Sequence, residues 1–494
     1  MNSIIRIDKR DNVAVALTSL SHGTMVQISD LEIEVKETIG QAHKVAIKDI
    51  GKGEHIIKYG SSIGHATSDI KAGDFVHTHN VKTNLDGILE YTFEKQKKGK
   101  KYSPTRDTFK GFRRANNKVG IRNEIWVINT VGCVNKSAEK ITSLANKQFE
   151  KKCDGIFTFT HPYGCSQLGE DFKITQKILK NLINHPNAGA VLVLGLGCEN
   201  NNIKEFKKVL GSIDEKRVRF LETQSVEDEI EEALSIIKDI SLITAEDRRE
   251  ECSLSDLVIG LKCGGSDGLS GITANPLLGT ISNKIIDSSG TSILSEVPEM
   301  FGAETVLMNR AKNEQIFNKT VDLINNFKAY FQRYNQVVYE NPSPGNKDGG
   351  ITTLEDKSLG CTQKGGDREV QAVLDYGEIV ESKGLNLLNG PGNDMVAVTN
   401  LAASGCQLIL FTTGRGTPLG GPVPTIKISS NSELALKKKN WIDFDAGVLT
   451  KNKKMDELSK EFLKFIISIA SGTKTRNEKN DYREIAIFKD GVTL

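Results

Sequence analysis

Short apolar runs alternate with amphipathic stretches through most of this chain. AVLVLGLG and QLILFTTG are typical of the apolar runs, and VEDEIEEALSIIKDI is typical of the amphipathic ones. Apolar strands that alternate with helices predict parallel sheets covered by helices on both faces. Because the chain has 494 residues, one simple sheet of this kind is too small for it. The pattern therefore predicts an α/β body of two lobes, each with a parallel sheet.

The first part of the chain follows a different pattern. Runs such as NVAVAL, TMVQIS and HKVAIK are separated by turn residues at close intervals, which predicts a small, mostly-β head over residues 1–93. Residues 94–110 include the lysine-dense run EKQKKGKKYSPTRD, which has no periodicity and is typical of an exposed linker. We place the two lobes at 111–345 and 346–494. The boundary falls in the long polar stretch YENPSPGNKDGGITTLEDKSLG, which has no regular pattern.

Charge and hydropathy exclude two classes of function. Lysine and arginine number 65, aspartate and glutamate number 63, and the net charge of +2 is too even for a nucleic-acid binder. The longest apolar run is too short to span a bilayer. The run MNSIIRIDKRDNVAVAL lacks the apolar core of a signal peptide, so we expect a cytoplasmic protein with reduced thiols. We expect neither nucleic acid nor a membrane as partner, and the sequence leaves a homo-oligomer open.

The eight cysteines act either as small buried hydrophobes or as ligands. Four of them follow predicted strands and lie beside glycines: Cys133, Cys165, Cys198 and Cys263. Ligands of open α/β sheets bind at the carboxyl ends of strands, which makes these four candidate metal ligands, with packing as the alternative. Their spacing is not that of a zinc ribbon, and an iron–sulfur cluster assembled from separate loops is a second interpretation. Packing accounts for Cys153, Cys252 and Cys406, and Cys361 lies just beyond the polar stretch.

Six of the eight histidines lie in the head. His77 and His79 are two residues apart in GDFVHTHN, which predicts a strand that directs both imidazoles to one face. Such a pair suits two metal ligands, or a ligand beside a base, and an exposed pair without a role fits the pattern equally well. His22, in SHGT, is a further candidate for proton transfer.

Polar residues at other predicted strand ends are candidate substrate contacts: Arg122, Asn123, Lys262, Ser266, Asp267 and Arg415. The two arginines suit a bidentate grip on a carboxylate, and the lysine beside Cys263 supplies a point charge. The segment GGSDGLSG fits neither GxGxxG nor the Walker A pattern, so a nucleotide site has no support.

Long segments of the chain resemble the altronate and galactarate dehydratases, a family of sugar-acid dehydratases. The segments run from head to tail: HTHN, GIRNE, TVGCVN, YGCSQLG, GLGCENN, CGGSDGLSGITANP, SEVPEMFGAE, NPSPGNKDGGITTLEDKSLGCTQK, TGRGTPLGG, WIDFDAG and REIAIFKDGVTL. The resemblance implies an SAF-type β domain followed by a dehydratase body. It implies an enzyme that removes water from a sugar acid. The implied reaction converts D-altronate to 2-dehydro-3-deoxy-D-gluconate in the breakdown of hexuronates, and galactarate or another aldarate is the alternative substrate. It also implies dependence on Fe²⁺, with Mn²⁺ as a substitute.

The hard step of such a reaction is removal of the proton at C2, next to a carboxylate. A divalent metal ion stabilises the charge that develops there, and a side chain takes the proton. We expect the site between head and body, where clefts favour ligands. The sequence does not decide whether the histidines or the cysteines hold the metal. A sugar-acid sensor without catalytic activity is the alternative from another class, although polar loops at several strand ends favour an enzyme.

Overall fold

The computed structural model describes residues 3–28, 31–96, 99 and 102–493. Its head is mostly β, as the sequence predicts. Its described strands are β1 Ile4–Ile5, β2 Val13–Ala16, β3 Met25–Ile28, β4 Leu31–Glu34, β5 Lys44–Ala46, β6 His55–Lys58, β7 Ser61–Ala66, β8 Phe75–Val76 and β9 Val81–Lys82. They form antiparallel sheets in the orders β1-β2-β5-β8, β3-β4 and β6-β7-β9.

The first part of the body contains a four-stranded parallel sheet in the order β13-β12-β14-β15. The strands of this part are β10 Thr108–Arg113, β11 Val119–Gly120, β12 Glu124–Asn129, β13 Ile156–Thr158, β14 Ala188–Gly195, β15 Val218–Glu222 and β16 Glu250–Ser253. Its helices are α1 Asn135–Phe149, α2 Gly169–Ile183, α3 Ile203–Leu210 and α4 Glu229–Thr244. Every residue of β12 is buried because helices cover both faces of the sheet. Strands β11, β10 and β16 form a separate antiparallel sheet.

The second part of the body is built on a seven-stranded parallel sheet in the order β19-β20-β18-β17-β21-β22-β23. Its strands are β17 Val258–Cys263, β18 Thr291–Leu294, β19 Val370–Leu374, β20 Gly384–Leu388, β21 Leu408–Thr413, β22 Thr425–Ser429 and β23 Phe444–Asp445. Its helices are α5 Ala274–Asp287, α6 Glu304–Met308, α7 Glu314–Arg333, α8 Pro344–Asp348, α9 Leu354–Cys361, α10 Asp394–Ala403, α11 Ser432–Lys437, α12 Met455–Ala470 and α13 Arg476–Lys479. The chain changes from one parallel sheet to the other between β15 and β17, whereas the expected lobe boundary at 345 falls between β18 and β19 of one sheet.

The long polar stretch contains α8 and α9 rather than a structureless loop. Side-chain caps explain both helices: the Ser343 hydroxyl accepts from the backbone N–H of Asn346, and the Thr353 hydroxyl accepts from that of Asp356. All eight residues of α9 are buried, so this short polar helix runs through the interior of the protein. It carries charged side chains into the region where the head meets the body.

The head is fastened to the body by buried ion pairs. Lys44 Nζ and Lys58 Nζ each lie 2.9 Å from a carboxylate oxygen of Asp356 on α9, and all three side chains are buried. Close backbone packing adds to this contact: a Cβ atom at Gly268 would lie 2.1 Å from the carbonyl oxygen of Ala42, and a Cβ at Gly271 would lie 2.2 Å from Tyr59 Oη. We call this contact region the head–body junction.

Four lysines of the expected linker, Lys97, Lys98, Lys100 and Lys101, lie outside the described residues. The part before them lies on the body, because the backbone N–H of Gln96 donates to the carbonyl oxygen of Asn309 over 2.9 Å. Among the described helices, none has both the length and the apolar character needed to cross a membrane.

A candidate active site where the head meets the body

A buried group of charged and sulfur-bearing side chains lies beyond the carboxyl ends of β17 and β18. Its members are Lys262, Cys263, Glu296, Glu299, Lys357, Cys361, Lys364 and Asp394. All are buried except Asp394, which is half-buried at the start of α10. We call this group the Lys–Glu–Cys cluster. Its place agrees with the rule that open α/β sheets bind ligands at the carboxyl ends of their strands.

Two cysteines and a glutamate lie at the centre of the cluster. Cys263 Sγ is 3.3 Å from Cys361 Sγ, and Glu299 Oε2 is 3.0 Å from the first sulfur and 3.4 Å from the second. These three ligand atoms lie within 4.8 Å of one another, as the ligands of a single metal ion do. Thiolates suit iron and carboxylates suit manganese, so the donor set fits the Fe²⁺ or Mn²⁺ that the sequence resemblance implies.

Three lysines surround this centre and balance its acids. Lys364 Nζ lies 2.7 Å from Cys263 Sγ and 3.0 Å from Glu296 Oε2. An ammonium group beside a sulfur favours the thiolate, which is the form that binds metals. Lys357 Nζ lies 2.8 Å from Glu299 Oε1, and Lys262 Nζ contacts Glu296 and lies 2.7 Å from Asp394 Oδ1. Buried charges are tolerated only when they are paired in this way.

The two buried glutamates have environments that separate their pKa values. Burial and the neighbouring Glu299 carboxylate raise the pKa of Glu296 above its ordinary value. Burial would also raise the pKa of Glu299, but Lys357 and Lys262 hold it well below its usual range. Adjacent carboxyl groups with opposite shifts are a common arrangement for proton transfer in active sites. Glu296 also has a left-handed backbone, with φ of +73°, a strained conformation that is frequent at functional sites.

A cleft of about 390 Å³ lies beside the cluster, between head and body. Gln41 and Ala42 line it from the head, and Asp267 and Arg415 line it from the body. Arg415 is exposed, and its guanidinium makes no hydrogen bond or ion pair with another residue that the structure describes. Its guanidinium is therefore available to bind a carboxylate with two parallel hydrogen bonds. The cleft lies between head and body, and its lining includes cationic side chains, Arg415, Lys437 and Lys438, that suit a carboxylate.

Ser266 and Asp267 lie between the cleft and the Lys–Glu–Cys cluster. Asp267 lines the cleft and also a small internal cavity of about 10 Å³, which Ser266, Lys357 and Cys361 line as well. The Asp267 carboxylate accepts hydrogen bonds of 2.8 Å from the Ser270 and Ser430 hydroxyls. Ser266 Oγ is buried and has no partner among the described residues. A buried hydroxyl left unpaired costs about 1–3 kcal/mol, so this oxygen indicates a place for a ligand group or a water.

The two head histidines of GDFVHTHN lie on a turn, not on the predicted strand. Strand β8 ends at Val76, and the backbone N–H of Asn80 donates to the carbonyl oxygen of His77 over 3.0 Å. The strand prediction for the pair is therefore wrong, because Asn80 closes a turn at once. The His77 ring is half-buried, and His79 is exposed on the same turn. Both rings pack on Phe75, at centroid distances of 5.3 and 5.4 Å.

His43 joins this pair and connects it to the cleft. Its ring centroid lies 5.1 Å from that of His77, and its Nε2 lies 3.2 Å from the carbonyl oxygen of Asp348, a residue of the cleft wall. Nδ1 of both His43 and His77 is buried without a partner among the described residues. Burial, with Lys44 and His43 nearby, lowers the pKa of His77 to about 4. At neutral pH this imidazole is uncharged, which is the form that accepts a proton or binds a metal.

Other residues singled out by the sequence lie elsewhere. Arg122 is buried and its guanidinium donates to Glu478 and to three backbone carbonyls, so no donor is left for a substrate carboxylate. Asn123 donates to the carbonyl oxygen of Thr244 and accepts from Arg114. Arg122 therefore joins the first part of the body to the second, Asn123 holds the first part together, and neither is part of the proposed site. His22 lies exposed in a turn of the head, before β3.

The four strand-end cysteines do not form one group. Cys263 belongs to the Lys–Glu–Cys cluster, whereas the other three lie exposed at the edge of the first parallel sheet: Cys133, Cys165 and Cys198. Cys361 takes their place beside Cys263. Six residues of this region were not among the candidates predicted from the sequence: Glu296, Glu299, Lys357, Lys364, Asp394 and His43. A signal existed for the first two, because SEVPEMFGAE directly follows the apolar run TSIL and is rich in acids.

The comparisons with known proteins cover head and body. Three family models match: the altronate/galactarate dehydratase SAF domain at residues 2–84, the second domain of D-galactarate dehydratase/altronate hydrolase at 111–243, and the C-terminal domain of D-galactarate/altronate dehydratase at 254–493. The altronate dehydratase of Bacillus subtilis (strain 168) is 53% identical over 100% of both chains. That of Escherichia coli (strain K12) is 52% identical over 99% of both chains.

A galactarate dehydratase (L-threo-forming) of Escherichia coli (strain K12) is 31% identical over 98% of this chain and 96% of its own. The family resemblance seen in the sequence is thereby confirmed, and the mostly-β head is an SAF domain. The chain belongs to the altronate/galactarate dehydratase family and is a sugar-acid hydro-lyase.

Proposed function

We propose that this chain removes water from D-altronate to give 2-dehydro-3-deoxy-D-gluconate, a step in the breakdown of hexuronates. The observation that carries this choice of substrate is the identity of 53% and 52% to two altronate dehydratases, against 31% to a galactarate dehydratase. A second substrate class, the aldarates, has a carboxylate at both ends. Arg415 is the described arginine of the cleft and suits one carboxylate, and Lys437 and Lys438 line the same cleft.

The metal of this proposal is Fe²⁺, with Mn²⁺ as a substitute. Cys263, Glu299 and Cys361 would hold it, and it would stabilise the negative charge that develops when the proton leaves C2. Lys364 Nζ lies 2.7 Å from the Cys263 sulfur, and Lys357 keeps the Glu299 carboxylate ionised. The head histidines are the alternative ligands, and metal content of variants separates the two possibilities.

The chain's own side chains bind the substrate and move its protons. Arg415 binds the carboxylate in the cleft. Ser266 Oγ, which has no described partner, lines the small cavity between the cleft and the Lys–Glu–Cys cluster. His77 accepts the proton from C2, because its imidazole is neutral and its Nδ1 is unpartnered. Glu296, whose pKa is raised, supplies the proton with which the 3-hydroxyl leaves as water. The enol that remains tautomerises to the 2-keto acid, so no redox cofactor takes part.

The experiment is a direct assay of purified protein with Fe²⁺, Mn²⁺ or a chelator, in which 2-keto acid formation is followed. We expect kcat/KM for D-altronate to exceed that for galactarate by at least about tenfold, the scale on which a pocket separates related substrates. Equal or faster turnover of galactarate would overturn the choice of substrate. Thermal stabilisation by D-altronate without any product would show a sensor instead of an enzyme.

A further inference from the structure

Cys133, Cys165 and Cys198 lie at one edge of the first parallel sheet, apart from the Lys–Glu–Cys cluster. Each follows the carboxyl end of a strand, and these strands, β12, β13 and β14, are direct neighbours in the order β13-β12-β14. All three thiols are exposed. Reactive thiols at the protein surface are a liability unless a ligand or a reaction uses them.

The loops that carry the three cysteines are bonded to one another. The backbone N–H of Gly132 donates to the carbonyl oxygen of Tyr163 over 2.9 Å, and that of Asn201 donates to Gly164 over 3.0 Å. A glycine precedes each cysteine. At Gly164, where φ is +101°, a Cβ atom would lie 2.0 Å from the carbonyl oxygen of Thr130. The backbones therefore approach more closely than side chains would allow, which brings the three cysteine-bearing loops together.

Three helices begin close to the three cysteines. Helices α1, α2 and α3 begin at Asn135, Gly169 and Ile203, each a few residues after one of the cysteines. Helix N-termini carry partial positive charge, which stabilises thiolates and anionic groups. The nearby Glu199 carboxylate is occupied by the Thr130 hydroxyl and the backbone N–H groups of Leu196 and Gly197. The edge therefore combines three exposed thiols with three helix N-termini.

An unpaired polar atom lies at the same edge. Asn129, the last residue of β12, is fully buried, and its Nδ2 donates to Asn135 Oδ1 over 2.8 Å. Its Oδ1 has no partner among the described residues. Buried amide oxygens are normally satisfied, so this atom indicates a group at the edge that protein atoms do not supply.

The three exposed cysteines do not belong to the described group that is compact enough for one ion. Within the part of the chain that the structure describes, only Cys263, Glu299 and Cys361 are compact enough to hold a single ion. An iron–sulfur cluster attaches its thiolates to separate irons and so keeps the ligand sulfurs further apart. We propose that Cys133, Cys165 and Cys198 ligate an iron–sulfur cluster through three thiolates, as a second metal centre distinct from the Lys–Glu–Cys cluster.

The first test uses the full chain, purified without oxygen and reconstituted with ferrous iron and sulfide. We expect acid-labile sulfide bound to the protein, together with the broad visible absorption of sulfide-to-iron charge transfer. Protein that takes up iron but no sulfide would overturn the proposal, because it would hold single ions only. This readout requires no substrate, so it is independent of whether D-altronate is turned over.

Variants locate the cluster. Cys133→Ser, Cys165→Ser and Cys198→Ser should each lower bound sulfide by at least about tenfold, the lower end of what a lost partner of a metal centre costs. The matched control is Cys153→Ser, in the same lobe, whose half-buried thiol donates to the carbonyl oxygen of Gly155. It should keep the full sulfide content. Unchanged sulfide in all three variants would overturn the assignment, as would an equal loss in the control.

Alkylation of the unaltered protein gives an answer that does not depend on the folding of variants. In the reconstituted protein the three thiols should resist an alkylating reagent, and removal of iron with an oxidant and a chelator should make them react. Mass spectrometry of the peptides identifies the protected residues. Equal and immediate labelling of all three thiols before and after iron removal would contradict the cluster.

Discussion

The sulfur atoms of Cys263 and Cys361 lie 3.3 Å apart, although 98 residues separate them in the sequence. The first ends a buried strand of the seven-stranded sheet, and the second ends the polar helix α9. Burial and the contact with Cys263 raise the pKa of Cys361 well above its ordinary value, with the contact as the larger cause. Without a metal ion, therefore, Cys361 is a thiol that contacts its partner.

Cys361→Ser tests whether this pair holds the catalytic metal. We expect the iron bound by the Lys–Glu–Cys cluster to be lost and turnover to fall by about a hundredfold, because support of a metal centre is worth that much. Metal analysis and the 2-keto acid assay measure both effects. Cys252→Ser, a buried cysteine of β16 outside the cluster, is the control and should retain both metal and activity. Normal iron content and turnover in Cys361→Ser would place the metal elsewhere.

The head histidines are tested by His77→Ala and His79→Ala. Each should lower kcat at least about a hundredfold with folding intact, His77 as the proposed base and His79 as an alternative metal ligand. His22→Ala is the matched control in the same domain, because His22 is exposed in a turn before β3. The kcat of this variant should be close to that of the unaltered protein. Near-normal turnover of His79→Ala would remove that residue from the mechanism, and the same result for His77→Ala would require another base.

Arg415→Lys tests carboxylate binding in the cleft. A lysine keeps the charge but cannot form two parallel hydrogen bonds, so we expect KM for the sugar acid to rise about tenfold while the thermal midpoint stays the same. Arg333→Lys, at an exposed ion pair with Asp490, is the control and should leave KM unchanged. If Arg415→Lys lowers kcat alone, the guanidinium acts in the chemical step instead of in binding.

Asp356→Asn tests the head–body junction. The change leaves Lys44 and Lys58 buried without their shared counter-ion, which should lower the free energy of unfolding by about 3–5 kcal/mol. Denaturant titration measures the loss, and limited proteolysis shows whether the head separates first. Asp49→Asn removes an exposed pair with Lys71 and should cost less than about 1 kcal/mol. Equal stability of the two variants would mean that the buried ion pairs make no net contribution to the free energy of unfolding.

Because His185 is buried, we expect the free energy of unfolding to decrease in mild acid. Burial lowers its pKa to about 3, and its Nε2 lies 3.1 Å from the carbonyl oxygen of Cys406. The unfolded chain takes up a proton near pH 6.5 while the folded chain does not, so this contribution is complete above pH 6.5 and is lost as pH falls toward 3. The slope is about 1.4 kcal/mol per pH unit. Denaturant titrations at pH 7 and pH 5 should show a smaller decrease for His185→Gln than for the unaltered chain, and equal decreases would contradict the assignment.

Alternation of apolar and amphipathic runs was sufficient to predict a mostly-β head and parallel sheets. Four residues that it made candidates, Cys263, Ser266, Asp267 and Arg415, lie in the region of the proposed site, because residues after parallel strands collect at one edge of a sheet. The partner of a buried charge is not visible in local sequence. Arg122 was a candidate for a substrate carboxylate, but its guanidinium bonds to Glu478, which lies 356 residues further along the chain. Lys357 and Lys364 were missed for a related reason, since the first lies in the polar stretch without periodicity and the second lies just beyond it, and both cross back to β17.

The close packing at Gly268, Gly271 and Gly350 limits which SAF domains can be joined to the body of this enzyme. A side chain at any of these positions would collide with Ala42 or Tyr59 of the head. The SAF domain therefore cannot be exchanged freely for one from a distant relative. A working chimera requires a donor head whose two loops match these three glycines, so the two parts of the chain are constrained to change together over evolution.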